Sequence, residues 1–211
     1  MPNWCQNKLR VEGSVAEIEL FRKTHFDVEN EFDFNTITPM PKELEETPSP
    51  ENENLLYAFY NIATDRLTPT FLDKERCKQI RSEENAQAKA ELVKKLHDQF
   101  GFVSWYQWSI ANWGTKWNAC DTFVEDIRTY EDGSAMLTID FSTAWSHPQA
   151  IYEQLAKQYP NLTLTAQFDE ESGEYYGSFR SKDGDQETQI EQGYRPDGPF
   201  SYDDDEEFDE D

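Results

Sequence analysis

Apolar and polar positions along this chain alternate between a period of two and a helical period, and the order of the switches predicts an α+β fold. Cys5, Leu9 and Val11 alternate with Gln6, Lys8, Arg10 and Glu12, the pattern of a half-buried strand that Gly13 ends. Ser14 and Glu17 stand at capping-box spacing, and Val15, Ile18 and Phe21 follow at helical spacing. The segment F-D-F-N-T-I-T-P-M-P-K-E-L carries two prolines, so it is expected to be ordered but irregular, docked by Phe32, Phe34, Ile37 and Met40. Residues 45–54 read as an exposed loop and 55–62 as a short helix.

Residues 73–100 favour helix throughout, with Leu92, Val93, Leu96 and Phe100 as the apolar stripe and Gly101 as the stop. One continuous helix there is about 42 Å long at 1.5 Å per residue, and its poorly amphipathic first half marks 82–85 as the place for a break. Ser104 can cap a further helix carrying Trp105, Trp108 and Asn112, which Gly114 terminates. A strand is expected near 121–130, a turn at 131–134 and a partner strand at 136–142, where Leu137, Ile139 and Phe141 share one side. Ser146-His147-Pro148 starts a second clear helix with Ile151, Tyr152, Leu155 and Tyr159 inward. Leu162, Leu164, Ala166 and Phe168 then alternate as a strand, and 174–181 returns beside it. The sum is a βαββαβ skeleton with an antiparallel sheet, interrupted after its first helix.

Composition changes this picture in two ways. At 211 residues with 36% hydrophobic and 14% aromatic content, one core is affordable if it leans on Phe, Tyr and Trp. The reading is therefore a single domain over 1–200 with a helical insertion at about 45–103, followed by an acidic tail at 201–211 with too little apolar surface to order itself. Charge is the second change. The formal net charge of −24 divides as −7 over residues 1–72, +1 over 73–100, −10 over 101–200 and −8 over the tail.

Three cysteines, Cys5, Cys77 and Cys120, form no CxxC pair, which fits a reduced compartment better than a disulfide framework. No signal core and no run near the roughly 18 apolar residues of a membrane span is visible, so the expected place is the cytoplasm, away from membranes.

Four segments occur together and in order: M-P-N-W-C-Q-N-K-L-R-V-E-G, F-D-F-N-T-I-T-P-M-P-K-E-L, N-W-G-T-K-W-N-A-C-D and F-x-T-A-W-S-x-P. In this combination the chain resembles a family of uncharacterised phage- and plasmid-borne proteins with a ferredoxin-like domain, the YubB-like proteins. The resemblance covers most of residues 1–180. It implies a ferredoxin-like α+β sandwich, with helices on one face of an antiparallel sheet, and a mobile-element origin. It implies no activity, and the acidic tail is not part of the pattern.

The chemistry-bearing residues point to binding more than to catalysis. Four of the six tryptophans fall within residues 105–117. Their bland role is to close the gap between helix and sheet, with Asn112 and Asn118 bonding backbone. Their functional role is a recess in which Trp4, Trp113, Trp117 and Trp145 hold a flat or apolar group while Lys116 pairs with an anion or lies over a ring. His25, His97 and His147 sit in no metal-binding pattern, and surface or helix-cap roles are expected for them. Cys5 with His147 makes an imaginable nucleophile and base, but Cys5 lies on the apolar face of its strand, where an inert buried thiol is the expectation. No catalytic residue, metal or cofactor is assigned.

Electrostatics orders the remaining function classes. A compact chain of this length is about 43 Å across, and duplex DNA of that length carries about 25 phosphate charges. The protein's own charge is comparable, so direct nucleic-acid binding is disfavoured and a basic partner is favoured. The first expectation is a non-enzymatic mobile-element accessory protein. It binds a basic host protein, such as a nucleic-acid-handling or defence component, and blocks it with a DNA-like surface. The candidate surface comprises Asp169, Glu170, Glu171, Glu174, Asp183, Asp185, Asp203, Asp204, Asp205, Glu206 and Glu207. The alternative is a small-ligand protein or enzyme that uses the tryptophan recess. The oligomeric state is left open.

Overall fold

Period-two alternation at the start of the chain becomes β1 (Trp4–Ser14), where Cys5, Leu9 and Val11 are wholly buried while Gln6 is exposed. A computed structural model describes residues 3–26, 29, 31–64, 72–196 and 198. The described residues divide into two compact units, one from 1–38 with 113–211 and the other from 39–112.

In the first unit the predicted capping box is complete. The amides of Glu17 and Ser14 are met by the Ser14 hydroxyl and the Glu17 carboxylate, and α1 (Val15–His25) buries Ile18, Phe21 and His25. A single 3-10 turn at Phe34–Thr36 follows. The strand expected near 121–130 is two pieces, β2 (Cys120–Val124) and β3 (Arg128–Thr129), both paired to β4 (Ser134–Ala144) with an irregularity between Cys120 and Phe123. Then come α7 (Gln149–Gln158), β5 (Thr163–Glu170), β6 (Tyr175–Lys182) and β7 (Asp185–Gln192), of which β7 was not anticipated.

The sheet order is β2-β4-β1-β5-β6-β7, every pair antiparallel. Its first four strands have the ferredoxin-like arrangement, in which β1 lies between the strands on either side of α7; β6 and β7 extend it. Helices α1 and α7 lie side by side on one face, where His25 Nε2 meets the Tyr159 hydroxyl at 2.7 Å. Between them and the sheet lie Leu9, Phe21, Leu137, Ile139, Ile151, Leu155, Leu164 and Phe168, each 2% exposed or less. Full burial of such a side chain contributes about 1.5–3 kcal/mol.

The second unit is helical: α2 (Lys42–Glu45), α3 (Glu51–Tyr60), α4 (Lys74–Ser82), α5 (Ala86–Phe100) and α6 (Trp105–Asn112). It has its own core of Leu55, Leu56, Ala58, Cys77, Ile80, Ala86, Ala90, Val93 and Val103. The helical insertion was expected at about 45–103, and the helical unit spans residues 39–112. Two local expectations need correcting, while the break in the long helix falls within the stretch marked for it. Helix α3 begins at Glu51, inside the presumed loop, because Asn52 and Glu53 are buried and bonded: Asn52 Nδ2 donates to Val103 O at 2.7 Å, and Glu53 accepts from Ser49 and Ser104. The long helix is broken at 83–85, where Asn85 takes a left-handed φ of 60°. The buried face of α5 is Ala86, Ala90 and Val93, while Leu92 is 62% exposed.

Among the described residues, no helix is long and apolar enough to cross a membrane. The acidic tail at 201–211, including Asp203, Asp204, Asp205, Glu206 and Glu207, lies outside the described residues.

Candidate functional site

Five residues were candidates for a tryptophan recess, and the structure brings four of them together. The segment 113–118 folds over the ends of β1 and β4. Gly114 turns at φ 84°, where an added Cβ would sit 3.0 Å from the amide of Gln149, and its carbonyl accepts from Ser146 Oγ at 2.6 Å. Thr115, fully buried, donates to Ala144 O at 2.8 Å. These bonds lay Lys116 and Trp117 beside Trp4, whose amide donates to Glu171 Oε1 at 2.9 Å, and beside Trp145, whose amide donates to Asn3 O at 2.8 Å.

The Trp4 and Trp117 rings are 5.9 Å apart and tilted at 52°. Lys116 Nζ lies 4.9 Å from the Trp117 ring centroid and 4.5 Å from that of Trp145, within cation–π range of both. Trp145 is 42% exposed and holds φ 73°, a backbone setting that costs a large L-residue about 1–3 kcal/mol. The cluster is thus a surface feature with a lysine across its rings.

Trp113 does not join it. Its ring is 5% exposed, its Nε1 donates to Thr38 O at 2.9 Å, and it meets Phe34 edge-on at 6.0 Å. Asn118 completes this clamp, accepting from Phe34 N at 2.8 Å and donating to Asp33 Oδ1 at 2.7 Å. Half of the N-W-G-T-K-W-N segment therefore fixes residues 33–38, and the other half reaches the surface.

The imagined Cys5 and His147 do approach each other, through a residue that the sequence did not single out. The Tyr175 hydroxyl lies 3.7 Å from Cys5 Sγ and 3.2 Å from His147 Nδ1. Burial pushes the Cys5 thiol up to about 12 and the His147 imidazole down to about 4. His147 is stacked on Phe168 at 3.7 Å between centroids, and among the described residues its Nε2 has no hydrogen-bond partner. A thiol that stays protonated is no nucleophile. His25 and His147, expected at the surface or at caps, are instead core residues at 1% and 9% exposure. Burial lowers His25 to about 4 as well, and the charge of Asp33 opposes it. Among the described residues no three His, Cys, Asp or Glu side chains converge as metal ligands do.

The candidate acidic surface is split. Asp169 is buried against Arg195, with Nε at 3.1 Å from Oδ2. Glu170 is 4% exposed and caps the β5–β6 turn, accepting from Ser172 N at 3.0 Å and Glu174 N at 3.1 Å. Burial pushes its carboxyl up, but these bonds outweigh that and hold it below its ordinary value. Both acids serve the fold. Glu171 and Glu174 are exposed at the Trp4 end of the sheet. Asp183 and Asp185 are exposed in the β6–β7 turn at the other end, about 23 Å away along β6. Glu187 and Glu191 are exposed as well, on β7. The Asp183-Gly184 turn, at φ 54° and 89°, was the available signal for that hairpin.

Searching curated proteins yields no match. Among solved structures, the crystal structure of a protein Api92 from Yersinia pseudotuberculosis aligns with a TM-score of 0.48 and 11% identity, over 95% of this chain and all of that one. Residues 112–210 match the family model described as the ferredoxin-like domain in Api92-like protein, and together with β1 and α1 from the N-terminal end they compose a ferredoxin-like α+β fold.

Proposed function

We propose that this chain is a non-enzymatic accessory protein of a phage or plasmid that works in the bacterial cytoplasm. It binds a basic host protein and thereby blocks a nucleic-acid-handling or defence system. The observation that carries the reading is the distribution of charge: a net −24, with Glu171, Glu174, Asp183, Asp185, Glu187 and Glu191 all exposed on the last strands and turns of the sheet. Such a field attracts a basic surface and repels phosphate. The mobile-element part rests on the sequence resemblance.

The test is association with a captured host partner as a function of salt. Binding weakens steeply once the Debye length falls below about 8 Å, and deletion of residues 203–211, which removes eight negative charges, slows association. A partner held equally well at high salt and by the truncated chain refutes the reading.

One observation favours a second reading, a binding recess for a flat ligand: the exposed Trp145 at positive φ beside Lys116, Trp117 and Trp4. A ligand that quenches tryptophan fluorescence in the wild type and not in Trp145→Ala supports it. Unchanged quenching in that variant refutes it.

A further inference from the structure

β7 ends the sheet order, and all eight of its residues are exposed. Which backbone groups it turns outward follows from the end of its ladder. Gly193 N donates to Glu174 O at 3.2 Å, one step beyond the Tyr175↔Gln192 pair. Bonded and non-bonded positions alternate in an antiparallel pair, so the odd-numbered residues of β7 spend their N–H and C=O groups on β6. Those of Gln186, Thr188, Ile190 and Gln192 point away from it. Among the described residues no strand pairs with that side.

Side-chain direction follows as well. Thr188 Oγ1 accepts from Gln149 Nε2 on α7 at 2.9 Å, which puts the even-numbered side chains on the helix face and Asp185, Glu187 and Glu191 on the other. We propose that β7 is a docking edge that accepts an extended basic segment of a partner protein as an added strand. The lysines or arginines of that segment alternate along the face of Asp185, Glu187 and Glu191. An apolar residue on its other face meets Ile190, which is 56% exposed. This rests on the basic-partner reading above and names the contact.

Charge selects this occupant. Sheet edges are commonly blocked by lysine or proline, and β7 contains neither, nor any arginine. A second copy is disfavoured because β7 against β7 sets three carboxylates beside three carboxylates. On β6, Arg180 and Lys182 stand across from Glu187 and Asp185. Each of these carboxylates therefore has a basic neighbour on one side only, and its two oxygens can accept more bonds from a second.

The test uses the full chain and two synthetic peptides of equal charge, one alternating lysine with valine and threonine, the other with proline at the intervening positions. The wild type binds the alternating peptide at least tenfold more tightly. Ile190→Pro removes an outward N–H and no bond to β6, so it abolishes that preference, whereas Glu187→Lys with Glu191→Lys weakens both peptides. Amide exchange carries the test even if the proline variant does not fold: the alternating peptide slows exchange at Gln186, Thr188, Ile190 and Gln192 in the wild type. Equal binding of both peptides without such protection overturns strand addition and leaves the basic-partner reading standing. Failure of both peptides to bind at low salt overturns both readings. A dimer of the free chain that Ile190→Pro dissociates overturns the choice of occupant.

Discussion

Trp113→Ala separates the structural half of the tryptophan-rich segment from its exposed half. The ring is 5% exposed, and its removal leaves a cavity among residues that relax only in part, which costs about 3–5 kcal/mol for a large aromatic side chain. Loss of the Nε1 bond to Thr38 O and of the edge contact with Phe34 falls within the same change. Against a total stability of about 5–15 kcal/mol, the variant loses about a fifth or more, a fall in Tm of about 6–20 °C for a chain of this size. Trp113→Phe keeps most of the ring and loses the donor, so about 1–2 kcal/mol is expected. Trp145→Gly is the control. It gives up the Lys116 contact but relieves the φ of 73°, so stability stays within about 1 kcal/mol of the wild type. Urea unfolding, followed by both far-UV circular dichroism and tryptophan fluorescence, measures all three, because the two units need not unfold together. Trp113→Ala at wild-type stability, or Trp145→Gly as damaging as Trp113→Ala, refutes the division.

Acid is expected to unfold the chain through its buried imidazoles. His25 and His147 stay neutral in the folded chain down to about pH 4, but in the unfolded chain they take up protons near 6.5. The stability they contribute is therefore complete above pH 6.5 and is lost as the pH falls towards 4, at up to about 3 kcal/mol each. Urea midpoints at pH 7, 5.5 and 4.5 should drop more steeply in the wild type than in a His25→Gln, His147→Gln double variant, and parallel slopes count against this account. Tyr152→Phe leaves Asn7 Oδ1 without the buried hydroxyl that donates to it at 2.9 Å, and a loss of about 1–3 kcal/mol is expected in the same assay. Gly177→Ala pushes a methyl into the Gln189 carbonyl and the Phe168 ring, so β7 should come away from β6. Fast amide exchange confined to β6 and β7 is the expected signature; unchanged exchange refutes it.

What the sequence determined by itself is the set of elements whose signals are local. Alternation was enough for β1, β4 and β5, because their apolar side chains fall on the face toward the helices and the pleat turns that placement into a period of two. Capping chemistry marked α1, and a left-handed Asn85 broke the long helix within the stretch already marked by its weak apolar face. Partnership needed the tertiary structure. β7 has one apolar residue in eight and exists because β6 offers it a row of backbone groups, a non-local supply that no periodicity records. Glu170 looks like a surface acid and is a buried turn cap, since only the folded turn brings the amides of Ser172 and Glu174 to it. Trp113 and Trp145 are the same residue in the same kind of motif, yet one holds the core and the other meets solvent. The difference lies in which distant segment comes to cover each ring, and for Trp113 that is decided by chain closure over 75 residues, beyond the reach of local sequence.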